Sequence, residues 1–301
     1  MSTSTYENGV EQHGTSHQTV GTRSAYNTEI SSSLRTAVVI VTYNSAQDIG
    51  RCLGMLANAC RYLCANIIVV DNASSDDTCA IVARERRARL IRNDSNRGFA
   101  AAVNQGVAAT TAEHILILNP DVVVTPEALS SLMEALNVKK DYAAAGCNMV
   151  FPNSWQELPT MQYPTVATFL KRVLFTNHLV NKFHHPEQLN RSRSVASDPS
   201  SGVKQVDWII GGCMMIRRSA YDVVGPLDEA YFLYYEDTDW CYRAHLRGWK
   251  IGFLPDTWVI HDYKRSSSKI SFSNNLTWIH LTSAIRFFVK VAPTRKLRTI
   301  A

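Results

Sequence analysis

A regular alternation of short apolar runs and longer amphipathic segments over residues 36–150 is the strongest constraint on how this chain can fold. Residues 37–41 and 67–70 are continuous apolar runs rich in β-branched side chains, which is typical of strands buried on both faces. Each run is followed by a polar turn and a helical pattern, the first of which opens at Ser45. The alternation predicts an α/β fold with a mostly parallel sheet covered by helices.

Further elements follow along the chain. The segments "RLIRN" and "HILILNPDV" predict strands, and "GFAAAVNQGVAAT" predicts a helix of small residues. Helices are also predicted over 76–88 and 126–137, and a strand over 143–150. A strand and a short helix are expected in "VDWIIGGCMMIRRSAYDVVG", a helix near Glu236, and a final strand or two in "GWKIGFLPDTWVIH". Ligands of such open sheets bind beyond the carboxyl ends of the strands, so the site is expected there.

Composition places the chain among globular proteins, with 46% hydrophobic and 19% charged residues in 301. It contains no apolar run of about 18 residues and no secretory-signal pattern, which predicts a cytoplasmic protein. The seven cysteines are scattered without a CxxC pair, so reduced thiols are expected and a structural zinc site is not. We expect a disordered leader over 1–34, one large α/β domain over 35–262 and a basic amphipathic segment over 263–301.

Polar residues stand at the carboxyl ends of three predicted strands. They are Thr42, Tyr43 and Asn44 after the first strand, Asp71 and Asn72 after the second, and Asn119, Pro120 and Asp121 after the fourth. Each set alone is explained equally well by a turn, because Asn and Asp favour turns through local hydrogen bonds. Three sets at one edge of a sheet favour a binding site.

These residues suit a ligand with a nucleobase and a diphosphate. Asp71 can accept a hydrogen bond from a base imide N–H, and Asp121 can hold Mg²⁺ or Mn²⁺ against a diphosphate. Arg97 is a candidate for contact with the anionic donor, and its alternative is a surface salt bridge. Gly212, with Gly211, either leaves room for a sugar or acceptor or marks a β-bulge.

Three acids, Glu236, Asp237 and Asp239, lie among aromatic residues in "FLYYEDTDWCYRAHLRGW". Glu236 and Asp237 begin a predicted helix, where the helix dipole alone would favour carboxylates. A carboxylate held near a metal-bound diphosphate is also suited to general base catalysis, with Asp237 as the base and Glu236 as a neighbour that orients or substitutes for it. His261, after a hydrophobic strand, is a candidate metal ligand or a structural histidine.

Six motifs stand in a fixed order along residues 36–262. They are "VVIVTYNS", "IIVVDNASSDDT", "NRGFAAAVNQG", "LNPDV", "WIIGGCMMIRR" and "FLYYEDTDWCYRAHLRGWKIGFLPD". In this order they resemble the family 2 glycosyltransferases, and most of all the rhamnosyltransferase-like branch of that family. The resemblance implies that residues 35–262 form a GT-A glycosyltransferase domain.

The resemblance also implies a nucleotide-diphosphate sugar donor, inversion at the anomeric carbon and a set of site residues. The nucleotide-binding positions implied by the motifs are Thr42, Asn44, Asp71 and Arg97. Asp237 would be the catalytic base, Asp121 the metal-linked acid of the "DXD" element, and His261 the histidine that some members use on the metal. Here the element is Asn119-Pro120-Asp121, so its first acid is missing and one carboxylate remains.

The "NPD" branch implies dTDP-L-rhamnose as donor, and UDP-linked hexoses are the alternative because Asp71 would pair with thymine or uracil alike. The acceptor loops are expected within 155–205. A basic helix near 165–183 and the acid-free tail suggest an anionic membrane, at the inner face of the plasma membrane. A glycan on a polyprenyl diphosphate, as in surface polysaccharide assembly, fits that location.

The tail from Lys264 to the end contains eight Lys or Arg residues and no Asp or Glu. One predicted helical stripe comprises Trp278, Leu281, Ile285 and Phe288, with Arg286 and Lys290 beside it. Such a stripe indicates either an interfacial helix at a membrane or packing against the α/β domain. The sequence leaves both interpretations open.

Three other classes of protein fit this sequence less well than a glycosyltransferase does. A dinucleotide-dependent oxidoreductase is disfavoured because no G-x-G-x-x-G follows the first strand. A non-catalytic nucleotide-sugar-binding protein is disfavoured because both Asp121 and Asp237 are present. A nucleic-acid binder is suggested only by the basic tail, since the chain has no zinc-finger or RNA-binding signature and a net charge of only +5.

Overall fold

The computed structural model describes residues 36–63, 66–150, 162–166, 169, 202–261 and 275–298. The predicted leader over 1–34 lies outside the described residues. So do most of the predicted helix near 165–183 and most of the predicted acceptor segment over 155–205. The predicted domain boundary at 262/263 falls directly after the last strand, which ends at His261.

The described residues form nine strands and seven helices. The strands are β1 (Thr36–Thr42), β2 (Asn66–Asp71), β3 (Ala88–Arg92), β4 (His114–Leu118), β5 (Val122–Val123), β6 (Tyr142–Val150), β7 (Lys204–Val206), β8 (Cys213–Arg217) and β9 (Lys250–His261). The helices are α1 (Ile49–Leu63), α2 (Thr78–Val82), α3 (Phe99–Ala108), α4 (Pro126–Val138), α5 (Arg218–Val224), α6 (Glu236–Leu246) and α7 (Asn275–Arg298). Strands and helices alternate as far as β6, as the sequence predicts, except that the two-residue strand β5 follows β4 without a helix between them.

The strands form one sheet in the order β3-β2-β1-β4-β8-β6-β9-β5, with β7 paired to β9. β3, β2, β1 and β4 are mutually parallel, whereas β8 runs antiparallel to both of its neighbours, β4 and β6. β9 is parallel to β6, so six of the nine strands run in one direction. The predicted α/β class with a mostly parallel sheet is confirmed.

The first strand shows why its sequence is apolar throughout. Successive side chains of a strand point to opposite faces of the sheet. Val38 and Ile40 pack into one hydrophobic core with α1 and α4, whereas Val39 and Val41 pack into a second core with α3, α5 and α6. Both faces of β1 are therefore covered by helices, and all seven of its residues are buried.

The second helix is shorter than the predicted span of 76–88. α2 ends at Val82, and the chain turns before β3 begins at Ala88. The intervening segment is Ala-Arg-Glu-Arg-Arg, whose run of charges offers no apolar face to bury against the sheet.

The C-terminal helix α7 packs against the α/β domain, which is one of the two predicted interpretations, and Phe288 is the member of the predicted stripe that packs against the buried aromatic cluster. Phe287 is completely buried and clusters with Tyr231, Tyr242 and Val291. Two members of the predicted stripe, Trp278 and Ile285, are 52% and 53% exposed. The apolar residues repeat at helical spacing on both faces, so their spacing alone could not identify the buried face. Among the described residues, α7 and the other helices lack the apolar length needed to cross a membrane.

Candidate active site

The ends of β1 and β2 are joined by a buried hydrogen bond. Thr42 and Asp71 are register partners in the parallel pair, and the Thr42 hydroxyl donates to Asp71 Oδ1 over 2.9 Å. Ser74 donates its backbone N–H to Asp71 Oδ2 over 2.9 Å and its hydroxyl to Oδ1 over 2.5 Å. Burial raises the pKa of Asp71, but these hydrogen bonds outweigh it and hold the pKa below its ordinary value. Asp71 is therefore ionised and rigidly placed.

Asn44 ties the loop after β1 to the loop after β2. Its backbone N–H donates to Ser74 Oγ over 2.8 Å, and its Oδ1 accepts from the Ser75 N–H over 2.8 Å. Asn44 has a left-handed backbone with φ 51°, which asparagine tolerates better than most residues. The predicted residues Thr42, Asn44 and Asp71 thus belong to one hydrogen-bonded edge.

Asn72, a polar residue at the end of the second strand that the sequence also singles out, connects this edge to the next loop. Its Nδ2 donates to the Gly98 carbonyl over 3.1 Å, and its Oδ1 accepts from Asn93 over 2.9 Å. A cleft of about 440 Å³ opens beside it, and its lining consists of Ala73, Ser74, Arg92, Asn93 and Asp94. The signal for Asn72 in the sequence was its place directly after Asp71.

The loop before α3 needs a glycine for two reasons. Gly98 has a left-handed φ of 85°, and a Cβ there would lie 2.6 Å from the Phe232 carbonyl oxygen. The following N–H, of Phe99, donates to that same oxygen over 2.8 Å. Arg97 precedes this glycine and is exposed, as a residue that meets an anionic ligand from solvent must be.

The Asn119-Pro120-Asp121 turn lies against the glycine pair. The Asn119 N–H donates to the Gly212 carbonyl over 3.0 Å, and a Cβ on Gly212 would lie 3.2 Å from Asn119 Nδ2. Gly211 and Gly212 form a turn directly before β8 and are not a bulge inside a strand. A Cβ on the second glycine would therefore crowd the side chains of Asn119 and Met149.

Asp121 and His261 meet because the two-residue strand β5 pairs with the end of β9, where Val122 is the partner of His261. Asp121 Oδ2 lies 3.2 Å from His261 Nε2. The other oxygen, Oδ1, is buried and has no hydrogen-bond partner among the described residues. A carboxylate that lies beside an imidazole and has one buried oxygen unused suits a divalent cation.

This pair makes only part of a cation site. Within the described segments no cluster of three or more His, Cys, Asp or Glu side chains could hold a metal. The residues therefore fit a cation that takes its remaining oxygen ligands from a diphosphate and water, which is the usual arrangement for Mg²⁺.

Asp237 lies in the first turn of α6 and is held by three donors. Its Oδ2 accepts from the Gly211 N–H over 2.8 Å, and its Oδ1 accepts from the N–H and hydroxyl of Thr238 over 2.6 and 3.1 Å. Burial raises the pKa of Asp237, and these hydrogen bonds oppose that rise. The base candidate is thus joined to the glycine turn that contacts Asn119.

Glu236, directly before it, has the opposite environment. The side chain is buried, and its Oε2 has no hydrogen-bond partner within the described part of the chain. Burial and then the charge of Asp237 raise the pKa of Glu236 well above its ordinary value. Because the donors converge on Asp237, the pair carries its negative charge there and its proton on Glu236.

Eight of the ten predicted site residues therefore fall into two groups, whereas Arg97 lies exposed in the loop before α3 and Glu236 directly before Asp237. One group contains Thr42, Asn44 and Asp71; the other contains Asn119, Asp121, Gly212, Asp237 and His261. The backbone contact between Phe99 and Phe232, next to Gly98, connects them.

Comparison with known proteins agrees with this geometry. The model of the family "Glycosyl transferase family 2" matches residues 37–225. An N-acetylglucosaminyl-diphospho-decaprenol L-rhamnosyltransferase of Mycobacterium tuberculosis is 28% identical, over 77% of this chain and 77% of the relative. The dTDP-rhamnosyl transferase RfbF of Shigella flexneri is 26% identical, over 84% of this chain and 76% of the relative.

Solved structures agree in fold. GalNAc-T7, solved with UDP, GalNAc and Mn²⁺, superposes with a TM-score of 0.57 at 15% identity over 84% of this chain. The chain spans 47% of the length of that structure. The architecture is the GT-A fold, as the sequence resemblance implied. The chain is a glycosyltransferase, and it belongs to family 2, in the rhamnosyltransferase-like branch of that family.

Proposed function

We propose that this chain transfers L-rhamnose from dTDP-L-rhamnose, with inversion, onto a hydroxyl of a lipid-linked glycan. The observation that carries the proposal is the position of Asp237, whose Oδ2 accepts a hydrogen bond from the Gly211 N–H of the turn that contacts Asn119 of the "NPD" element. Sugar transfer from a nucleotide requires a base close to the turn that binds the diphosphate, and the Gly211–Gly212 turn joins Asp237 to Asn119 in this way.

The nucleotide would bind at the first group of residues. The ionised Asp71 would accept from the imide N–H of thymine, with Thr42 and Ser74 holding its carboxylate in place. Asn44 and Asn72 would shape the loops on either side, and the exposed Arg97 would meet the diphosphate. Thymine and uracil present the same imide, so Asp71 favours neither over the other.

Asp121 and His261 would hold Mg²⁺ or Mn²⁺ together with the diphosphate of the donor. When bound, the cation would neutralise negative charge that develops on the departing nucleotide diphosphate. The unused Asp121 Oδ1 supports this assignment. The solved structure of GalNAc-T7 contains Mn²⁺ together with UDP, which further favours a divalent cation in this fold.

In the proposed reaction, the acceptor oxygen attacks the anomeric carbon from the face opposite the diphosphate. Asp237 takes the hydroxyl proton as the new C–O bond forms, and the old bond to the diphosphate oxygen breaks. One displacement inverts the anomeric configuration. The protonated Glu236 leaves Asp237 as the single anion of the pair and keeps it available as a base.

The names of the relatives support the donor and the acceptor. One is a dTDP-rhamnosyl transferase and another acts on N-acetylglucosaminyl-diphospho-decaprenol. A polyprenyl acceptor would place this chain in the cytoplasm at the inner face of the plasma membrane, in cell-surface polysaccharide assembly. The basic tail favours that location.

The proposal is tested first by binding and then by transfer. The melting temperature should rise with dTDP, and rise further when Mg²⁺ or Mn²⁺ is added, because a ligand of the folded state stabilises it. Asp71→Ala should abolish the rise. Transfer is then measured from dTDP-L-rhamnose and from UDP-hexoses to a polyprenyl-diphosphate-linked N-acetylglucosamine. A response to UDP alone would retain the enzyme class and reject rhamnose; no response to any nucleotide would reject the proposal.

A further inference from the structure

Two consecutive residues directly before the catalytic helix have strained backbones. Tyr234 and Tyr235 both have φ of 70°, and Tyr235 caps α6, whose first residues are Glu236 and Asp237. For a non-glycine residue this left-handed conformation costs about 1–2 kcal/mol. Such strain persists only where the surrounding structure over-determines it. The direction in which Asp237 points thus depends on whatever holds these tyrosines.

The C-terminal helix α7 supplies that hold through ring contacts. The His280 ring lies 5.1 Å from the Tyr234 ring and 5.5 Å from the Tyr235 ring, between centroids. Phe287 lies two turns after His280 on the same helix and is completely buried. Its ring centroid is 5.5 Å from that of Tyr235. Both strained residues therefore rest on side chains from α7.

A hydrogen bond and ion pairs also join α7 to the turn before α6 and to α6 itself. The Ser283 hydroxyl donates to the carbonyl of Leu233, the residue before the strained pair, over 2.9 Å. Lys290 Nζ lies 2.7 Å from Oδ1 of the fully buried Asp239 in the first turn of α6, and 2.9 Å from Asp228 Oδ2. Arg243 neutralises the other oxygen of Asp239 over 2.7 Å. Removing Lys290 would leave a buried carboxylate with one partner fewer.

From these contacts we infer that α7 is a positioning element for catalysis, with Ser283, His280 and Lys290 as positioning residues that hold the Leu233–Tyr235 turn and aim Asp237 at the donor. The inference rests on the proposed function of Asp237 as the base. It assigns α7 a part in turnover, in addition to its part in the hydrophobic core. None of the three side chains needs to touch the substrate.

A positioning role differs from a stabilising role in what it predicts for turnover. A helix that only covers the core would, when weakened, lower the melting temperature and leave the kcat of the folded molecules unchanged. A helix that aims the base would lower kcat, because small misplacements of a catalytic group are costly. In both cases we expect the donor KM to stay the same, since Thr42, Asn44 and Asp71, the residues proposed to hold the base, lie on β1, β2 and the loop after β1, and not on the turn that α7 contacts.

The test uses two neighbouring hydroxyls on α7. Ser283→Ala removes the bond to Leu233, whereas Thr282→Ala removes a hydroxyl that bonds only to its own helix, at the Trp278 and Ile279 carbonyls. We expect Ser283→Ala to lower kcat about tenfold or more, with the donor KM changed by less than about twofold. Thr282→Ala should leave both constants unchanged. Ser283→Thr keeps a hydroxyl at this position and should retain the turnover of the unmodified chain. Lys290→Gln provides a second variant if Ser283→Ala is insoluble.

Amide hydrogen exchange over 233–239 is measured on the same proteins. It should be faster in Ser283→Ala than in Thr282→Ala. A kcat equal to that of the unmodified chain in both Ser283→Ala and Lys290→Gln would overturn the inference, whatever the melting temperatures. If the unmodified chain transfers no sugar, the proposed function fails, and the exchange comparison still decides whether α7 holds the turn: equal rates would overturn it.

Discussion

At the scale of single residues, the site is defined by how its acids are hydrogen bonded. Asp71 and Asp237 each accept three hydrogen bonds, whereas Oε2 of the buried Glu236 has no such partner among the described residues. Burial raises the pKa of a carboxyl group and donated hydrogen bonds lower it. The distribution of donors therefore decides which acids are charged.

Asp237→Asn should remove the base and keep the shape of the site. Transfer is expected to fall by about 10²–10⁴-fold, the usual contribution of general base catalysis. The dTDP-induced rise in melting temperature should be retained, since Asp237 lies outside the nucleotide group. Asp222→Asn, an exposed change on α5, is the control and should leave both readouts unaltered. Undiminished transfer by Asp237→Asn would remove Asp237 as the base.

Glu236→Gln should stabilise the protein increasingly as pH rises. A carboxyl whose folded-state pKa is raised contributes stability that is fully present below its unfolded pKa and lost as pH rises through the folded pKa. Glutamine mimics the protonated side chain at every pH and loses nothing. The gain in melting temperature over the unmodified chain should thus be small at pH 5 and larger at pH 8, whereas Glu134→Gln on the exposed face of α4 should show no such trend. A gain independent of pH would contradict a buried protonated Glu236.

At the scale of elements, the sequence predicts the sheet and the strand-end residues because burial of both faces imposes continuous apolar runs. The contact between Asp121 and His261 follows only from the family resemblance, which puts both on one metal, because the two-residue strand that brings them together is too short to leave a pattern of its own. The sequence does not predict the buried face of α7, where apolar residues repeat on two faces. The left-handed backbone of Tyr234 and Tyr235 could not be predicted from the sequence either, since tyrosine does not favour that conformation.

The loop before α3 gives a prediction at this scale. Gly98→Ala would add a Cβ in a left-handed conformation against the Phe232 carbonyl, whereas Gly248→Ala adds one at φ 83° with no atom within 4 Å. Gly248→Ala should therefore cost about 1 kcal/mol of unfolding free energy, for conformation alone. Gly98→Ala should exceed it by at least about 1 kcal/mol, because a backbone atom must move. Equal losses in urea unfolding would show that the contact with Phe232 is not tight.

At the scale of the whole molecule, catalysis is assembled from distant parts of the chain. The proposed nucleotide-binding residues lie on the N-terminal parallel strands, the proposed cation pair joins β5 to β9, and the turn before Asp237 contacts α7. Because α7 uses its inner face for this packing, Trp278 and Ile285 remain largely exposed on its other side. The tail that carries this helix is also the most basic part of the chain.

This charge distribution leads to a prediction about location. The full chain should sediment with vesicles rich in phosphatidylglycerol and not with pure phosphatidylcholine vesicles, because eight Lys or Arg residues follow position 263 without an acid. Binding should fall sharply between about 0.05 and 0.5 M salt, as the screening length shortens. Replacing Lys264, Arg265 and Lys269 by Gln should weaken it, since each basic residue near such a surface contributes about 1 kcal/mol. Replacing Arg84, Arg86 and Arg87, the cations between α2 and β3, by Gln changes the net charge equally and should leave binding intact. Equal loss in both variants would mean that net charge, and not the tail, attracts the protein to the membrane.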